Sequence, residues 1–391
     1  MSFQTEVMMA DRMRWAVRTA ESVMERTPRL YEAKGYEGKW SYDYGVILKG
    51  FELLWRQTGH PEYFRYIREQ MDYFIGEDGS IRGYRPDEYN IDHLNNGKLL
   101  FALYRETGLD KYRLAAGQLR EQLKQHPRTS ELAFWHKQIY PQQIWLDGLY
   151  MGAPFYLEYL LAFEAGQGLE DVTRQFIICE RHTKDPQTGL LYHAWDEQRA
   201  QPWSHPQTGQ SPNFWGRSLG WYVMALADVL AILPAGHEDY AELVRILQDT
   251  LGALRRFQDP SSGVWYQVVN ESGRKGNYLE SSASGMITYA IAKGIMLGVL
   301  EAEAGWQETL DRAYAGLIAE FVTVTGRGWV NLNKTCQVAG LGGEDRRDGT
   351  YAYYISEPII TNDQKGLGAF LLACGEYEQL QRSRGQHTAS H

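Results

Sequence analysis

The chain has 391 residues, 43% of them hydrophobic, which is enough to bury a large core. Its formal net charge is −9 and no long Lys/Arg block appears, so neither a nucleic-acid polyanion nor an anionic membrane surface is an expected partner. The 12 Trp, 26 Tyr and 13 Phe form a heavier aromatic load than a core requires, and such a load suits a cleft that binds rings.

Residues 1–12 lack a basic segment followed by a clean apolar run, so they do not read as a secretory signal. No stretch reaches the roughly 18 to 20 apolar residues of a membrane span. Cys179, Cys336 and Cys374 are widely spaced, which neither makes a disulfide framework nor resembles a zinc site, and a reducing cytoplasm fits best. From the first residues onward, helical periodicity predicts elements near 4–26, 41–58, 61–76, 93–107, 109–126, 147–165, 168–183, 217–233, 237–258, 281–301, 306–323 and 364–382, with little strand.

A punctuation recurs at Gly59, Gly108, Gly166, Gly236 and Gly305: an amphipathic run ends at glycine and a second run begins with acids near its first turn. Each unit is therefore a helical hairpin, and repeated hairpins must pack on their neighbours. An open solenoid needs capped ends, whereas six pairs close into a toroid if the first and last helices meet. The expected fold is an all-α six-hairpin toroid, with residues 1–391 as one domain and a short polar tail from about 383. The irregular linkers near 77–92, 127–146, 184–216, 259–280 and 324–363 each precede the first helix of a pair. They should gather on one rim and carry the site.

On that rim lie Tyr42 and Asp43, Asp92 and His93, Trp135, His136 and Lys137, Trp145 and Asp147, Tyr192 and His193, Trp215, Arg217 and Trp221, and the run from Tyr278 to Ser282. Asp92 and Asp147 stand at the starts of inner helices one repeat apart. Two neighbouring carboxylates resist double ionisation, so one can keep a proton and serve as general acid. The plain alternative is that both are helix N-caps. Arg217 between Trp215 and Trp221 offers a guanidinium for a carboxylate, or else pairs with a structural acid. His136 and His193 orient a ligand or satisfy a loop carbonyl.

Two motifs are decoys. Gly216-Arg217-Ser218-Leu219-Gly220 satisfies G-x-S-x-G, but no strand precedes it and the downstream histidines His237, His387 and His391 suit no triad. Gly340-Leu341-Gly342-Gly343 lacks the lysine and the strand-to-helix setting of a phosphate loop.

The stretches Trp145-Leu146-Asp147-Gly148-Leu149-Tyr150-Met151, Phe214-Trp215-Gly216-Arg217-Ser218-Leu219-Gly220-Trp221 and Asn362-Asp363-Gln364-Lys365-Gly366 together resemble the unsaturated rhamnogalacturonyl hydrolases, glycoside hydrolase family 105. The resemblance runs from about Trp40 to Glu376. It implies an (α/α)6 barrel, no metal or organic cofactor, and a small oligosaccharide substrate with a 4,5-unsaturated uronic acid at its non-reducing end. It also implies Asp147 as general acid/base and Asp92 as the second aspartate. Trp145, His193, Trp215, Arg217 and Trp221 become sugar contacts, with His136, Tyr42 and Met151 as further candidates. The related family 88, the unsaturated glucuronyl hydrolases, is the alternative at the level of the enzyme. A sugar epimerase on the same barrel, which would use a histidine pair, and a non-catalytic sugar-binding protein are rivals of other classes. Oligomeric state is not encoded in these motifs.

Overall fold

The computed structural model describes residues 14–345 and 347–388, with side chains through Arg384. The expected helix start near residue 4 and the reading of residues 1–12 fall outside the described residues. The helices are α1 (Trp15–Arg26), α2 (Asp43–Thr58), α3 (Pro61–Asp72), α4 (Lys98–Thr107), α5 (Asp110–Gln125), α6 (Leu146–Phe163), α7 (Leu169–Thr183), α8 (Gly216–Leu230), α9 (Tyr240–Arg256), α10 (Ser281–Met296), α11 (Trp306–Phe321), α12 (Tyr351–Ser356) and α13 (Gln364–Thr388). The last helix runs past the tail boundary expected near 383, and the short α12 lies inside the 324–363 linker, where the sequence predicts irregular chain.

Packing closes these helices into an (α/α)6 barrel. Around the inner ring α13 packs on α2, α2 on the 3-10 run Ile91–Gly97 that leads into α4, that run on α6, α6 on α8, α8 on α10, and α10 on α13. Each inner helix carries an outer partner, and α1 supplies the sixth by packing on α13. The two layers differ in sequence for a physical reason. Inner α8, GRSLGWYVMALADVL, is buried on nearly every side, so it is apolar all round. Outer α9 buries one stripe, including Leu243, Ile246, Leu247, Thr250, Leu251 and Leu254, and turns its charged face to solvent. Each fully buried large apolar side chain contributes about 1.5–3 kcal/mol.

The ring closes tightly because small residues stand where inner helices cross. A Cβ on Gly368 of α13 would lie 2.7 Å from the backbone of Val46 in α2. The glycine punctuation holds at Gly59 and Gly108, whose φ values of 71° and 66° let the left-handed residue close α2 and α4. It fails at Gly236, which is not among the positive-φ glycines. Helix α10 also stops at Met296 rather than near 301, and Gly298 at φ 71° turns the chain there.

The rim linkers form three two-stranded antiparallel ribbons: β1 (Gln143–Trp145) with β2 (Ala194–Asp196), β3 (Val322–Val324) with β4 (Val330–Leu332), and β5 (Thr335–Cys336) with β6 (Ile359–Ile360). All three cysteines are free and buried. No helix among the described residues is long and apolar enough to cross a membrane.

Candidate active site

Backbone pairing of the rim linkers brings the site together. Trp145 of β1 pairs with Ala194 of β2, and the Leu146 amide donates to the His193 carbonyl, so the start of α6 lies beside His193. Asn90 bridges Lys137 and the Ile91 amide donates to the His136 carbonyl, which sets Asp92 against both side chains.

Neither acid is a cap, which removes the plain reading of both. Helix α6 begins at Leu146 behind an extended Trp145 that makes no side-chain cap, and Asp147 stands in the first turn, 9% exposed. Its Oδ2 makes no hydrogen bond, although it lies 3.0 Å from His193 Nε2. In the 3-10 run Ile91–Gly97 the capping acceptor is Asn90, which takes the Asp92 amide, so the expected α-helical start at 93 shifts to Lys98. Asp92 instead meets Lys137 Nζ at 2.7 Å and His136 Nε2 at 3.7 Å.

Electrostatics separates the roles. Burial by itself would push Asp92 up, but Lys137 and then His136 outweigh it and hold the carboxyl below its ordinary value. Asp92 is therefore ionised near pH 7. Burial pushes His136 down to about 4 against the opposing pull of Asp92, so its imidazole is neutral near pH 7. Its Nδ1 is buried without a partner.

Aromatics wall the site. His136 stacks on Trp145 at 4.5 Å and Tyr140 stacks on the same indole at 4.8 Å. Trp221 stacks on Tyr150 at 4.8 Å and meets the half-buried Tyr42 edge-on at 6.4 Å. Trp215 lies 4.8 Å from the His193 ring and donates its indole N–H to Gln267. Met151 is buried one turn beyond Asp147.

Arg217 is not placed between two indoles as expected. Its guanidinium lies 5.4 Å from the Trp215 ring, whereas Trp221 packs on Tyr150. The side chain is buried beside Glu280, with Nη2 to Oε1 at 3.6 Å. Its Nε donates to Ser282 Oγ at 2.7 Å and its Nη2 to the Cys336 carbonyl, while Nη1 has only a long 3.5 Å contact with the Gln337 carbonyl. Burial opposes the charge, yet Glu280 and its neighbours hold the guanidinium above the usual arginine value. The structural-acid alternative is thus realised, and one amino group keeps capacity to spare.

The Asn362-Asp363-Gln364-Lys365-Gly366 stretch also has a structural use. Lys365 Nζ lies 2.7 Å from Asp43 and 2.9 Å from Asp363, a buried triad that ties the starts of α13 and α2 together and seals the rim. Asp43 is thereby explained without a role toward a ligand.

Sequence reasoning missed two contributors. Tyr354 of α12 bonds His193 Nδ1 at 2.7 Å, and Arg347 donates to the Tyr140 hydroxyl at 2.9 Å. The signal for the first was the aromatic run Tyr351-Ala352-Tyr353-Tyr354 just after Gly349 in the 324–363 linker.

A helical toroid whose rim gathers two buried acids, two histidines and a wall of aromatics has the equipment of a sugar-processing enzyme. The chain belongs to Glycosyl Hydrolase Family 88, which matches residues 15–381, and is a glycosidase with an oligosaccharide as its class of substrate. It is similar to a solved family 105 glycoside hydrolase from C. acetobutylicum ATCC 824, with 52% identity, a TM-score of 0.90, and coverage of 94% of this chain and 99% of that one. It is also 31% identical over 258 residues to the unsaturated rhamnogalacturonyl hydrolase YesR of Bacillus subtilis (strain 168), covering 64% of this chain and 70% of the relative. The unsaturated glucuronyl hydrolase of Bacillus sp. GL1 shares the fold, with a TM-score of 0.65 at 16% identity, over 93% of this chain and 94% of that one.

Proposed function

We propose that this glycosidase removes a 4,5-unsaturated uronic acid from the non-reducing end of lyase-generated rhamnogalacturonan fragments. The observation that carries the reading is an ionised Asp92 and a buried Asp147 that both act on His136, with Asp147 Oδ2 left unbonded beside His193. One acid is fixed as an anion and the other is free to exchange a proton. The 31% identity to YesR and the 52% identity to a family 105 structure favour the rhamnogalacturonan fragment over a glucuronyl substrate, for which the family 88 match and a structure at 16% identity speak.

Such a substrate is a vinyl ether, and protonation at carbon is its hard step. Protonated Asp147 delivers its proton to C4, water adds at C5, and the hemiketal opens to expel the aglycone without attack at the anomeric carbon. Asp147, now ionised, accepts the proton of the water. The spacing rule that separates retaining from inverting glycosidases does not govern this chemistry. Asp92, kept as an anion by Lys137, holds the sugar by accepting hydrogen bonds from its hydroxyls. Trp145, Trp215, Trp221, Tyr42 and Met151 shape the sugar subsite, with His136 and His193 supplying polar contacts. Arg217 Nη1 and Lys137 attract the substrate carboxylate at short range, against a bulk charge of −9. We place the enzyme in the cytoplasm, as a single domain.

Purified protein is tested on two unsaturated disaccharides, one ending in rhamnose and one derived from a glycosaminoglycan. The expected result is a kcat/KM higher on the rhamnose disaccharide by about tenfold or more. Preference for the glycosaminoglycan product overturns the substrate assignment, and an epimerised rather than cleaved product overturns the reaction.

A further inference from the structure

His193 is fully buried, and its two ring nitrogens have different surroundings. Nδ1 lies 2.7 Å from the Tyr354 hydroxyl. Nε2 lies 3.0 Å from Asp147 Oδ2 but off the line of a hydrogen bond, and neither of those atoms has a hydrogen-bond partner among the described residues. A neutral imidazole carries one N–H, and the hydrogen bond at one nitrogen decides which of the two holds it.

Tyr354 makes that decision. Its phenol is buried, and burial, with Tyr353 and Asp147 nearby, holds it well above the usual tyrosine value, so it remains a neutral O–H group. A buried hydroxyl hydrogen needs an acceptor. Among the described residues the Tyr354 hydroxyl bonds only His193 Nδ1. A proton on Nδ1 would face the phenol hydrogen or force it toward a place with no acceptor. We infer that Tyr354 is a positioning residue that locks His193 as the Nε2–H tautomer, so that a fixed N–H group faces the Asp147 carboxylate.

The phenol is held firmly enough to do this. Thr350 Oγ1 accepts the Tyr353 amide at the start of α12, Gln267 Nε2 donates to the Tyr354 carbonyl at 3.1 Å, and the Tyr354 ring stacks on Trp215 with an interplanar angle of 20°. Tyr354→Phe leaves all three contacts in place and removes only the hydroxyl.

Facing a fixed N–H, Oδ2 stays bare, and the exchangeable proton of Asp147 is confined to Oδ1. This step rests on the reading of Asp147 as the proton carrier. The acid proton that Asp147 gives to C4 sits on Oδ1, because a proton on Oδ2 would oppose Nε2–H. Water then forms the bond to C5 and returns one proton to Oδ1, so the carboxyl ends the step protonated as it began.

The experiment uses full-length protein labelled with 15N-histidine. Imidazole 15N–1H correlation spectra are recorded without substrate, with the His193 signals assigned by their loss in His193→Gln. The expected wild-type spectrum has His193 protonated at Nε2 and bare at Nδ1. In Tyr354→Phe an Nδ1–H signal appears and kcat falls about tenfold with KM nearly unchanged. A wild-type His193 protonated at Nδ1 overturns the inference, and that spectrum is decisive even where the variant fails to fold. Tyr354→Phe with wild-type tautomer or wild-type kcat also overturns it. Because the spectrum needs no sugar, a wild-type enzyme that leaves the unsaturated disaccharides intact refutes the proposed function while leaving the tautomer result standing.

Discussion

Replacing Arg217 by methionine separates what this residue does for the fold from what it does for a ligand. The guanidinium lies 3.6 Å from Glu280, whose side chain is fully buried. Removing one member of such a pair typically costs about 3–5 kcal/mol, because the other charge stays buried without its counterion. Glu280 keeps three other donors: Ser282 Oγ at 2.8 Å, the Ala283 amide at 2.6 Å and the Cys336 amide at 2.9 Å. These place the expected loss at the lower end, about 3 kcal/mol. Urea denaturation measures it, since urea adds no salt to screen the pair. The double variant Arg217→Met/Glu280→Gln should recover more than half of the loss, because the orphaned charge is gone. Arg217→Lys should recover only part, since lysine lacks the fork that reaches Ser282 and the Cys336 carbonyl together. A single Arg217→Met variant within about 0.5 kcal/mol of wild type refutes the reasoning, and the arginine would then be free to act on the substrate alone.

Two further outcomes concern pH. Lys137→Met removes the largest influence holding Asp92 down, burial then raises that carboxyl, and the acid limb of the kcat/KM profile moves to higher pH; an unmoved limb contradicts the pairing. Burial pushes His136 and His126 down to about 4, below the unfolded value near 6.5. Their neutral forms therefore stabilise the fold above about pH 6.5, and this contribution is lost as pH falls toward 4. The urea midpoint should decline across that window, and a flat midpoint contradicts the assignment.

Much of the architecture was legible because it is repetitive. Apolar stripes with glycine at their ends fix helical hairpins locally, and a hairpin that cannot bury its face alone must stack. Errors arose where tertiary contacts override local pattern. The 3-10 run Ile91–Gly97 forms because Asn95 and Asn96 turn sideways to donate to the carbonyls of Tyr42 and Ser41, a pairing across two repeats that no local window contains. Asp147 looked like a cap because it precedes an apolar run, yet the β1–β2 pairing starts the helix one residue earlier. The pairing of Arg217 with Glu280 was not legible because the two lie 63 residues apart and meet only once α8 and α10 are side by side. The pairing of Tyr354 with His193 was hidden for a similar reason, since the two lie 161 residues apart.

The central claim, that Asp147 supplies the proton for hydration of a vinyl ether, is tested most directly by following the ultraviolet absorbance of an unsaturated rhamnogalacturonan disaccharide with wild type and with Asp147→Asn. Asparagine keeps the shape but carries no acid proton. The expected result is loss of the conjugated double bond with wild type, and a rate lower by about 10²–10⁴ in the variant with an unchanged circular dichroism spectrum. Asp147→Asn turning over at the wild-type rate, or wild type leaving the absorbance intact, contradicts the claim.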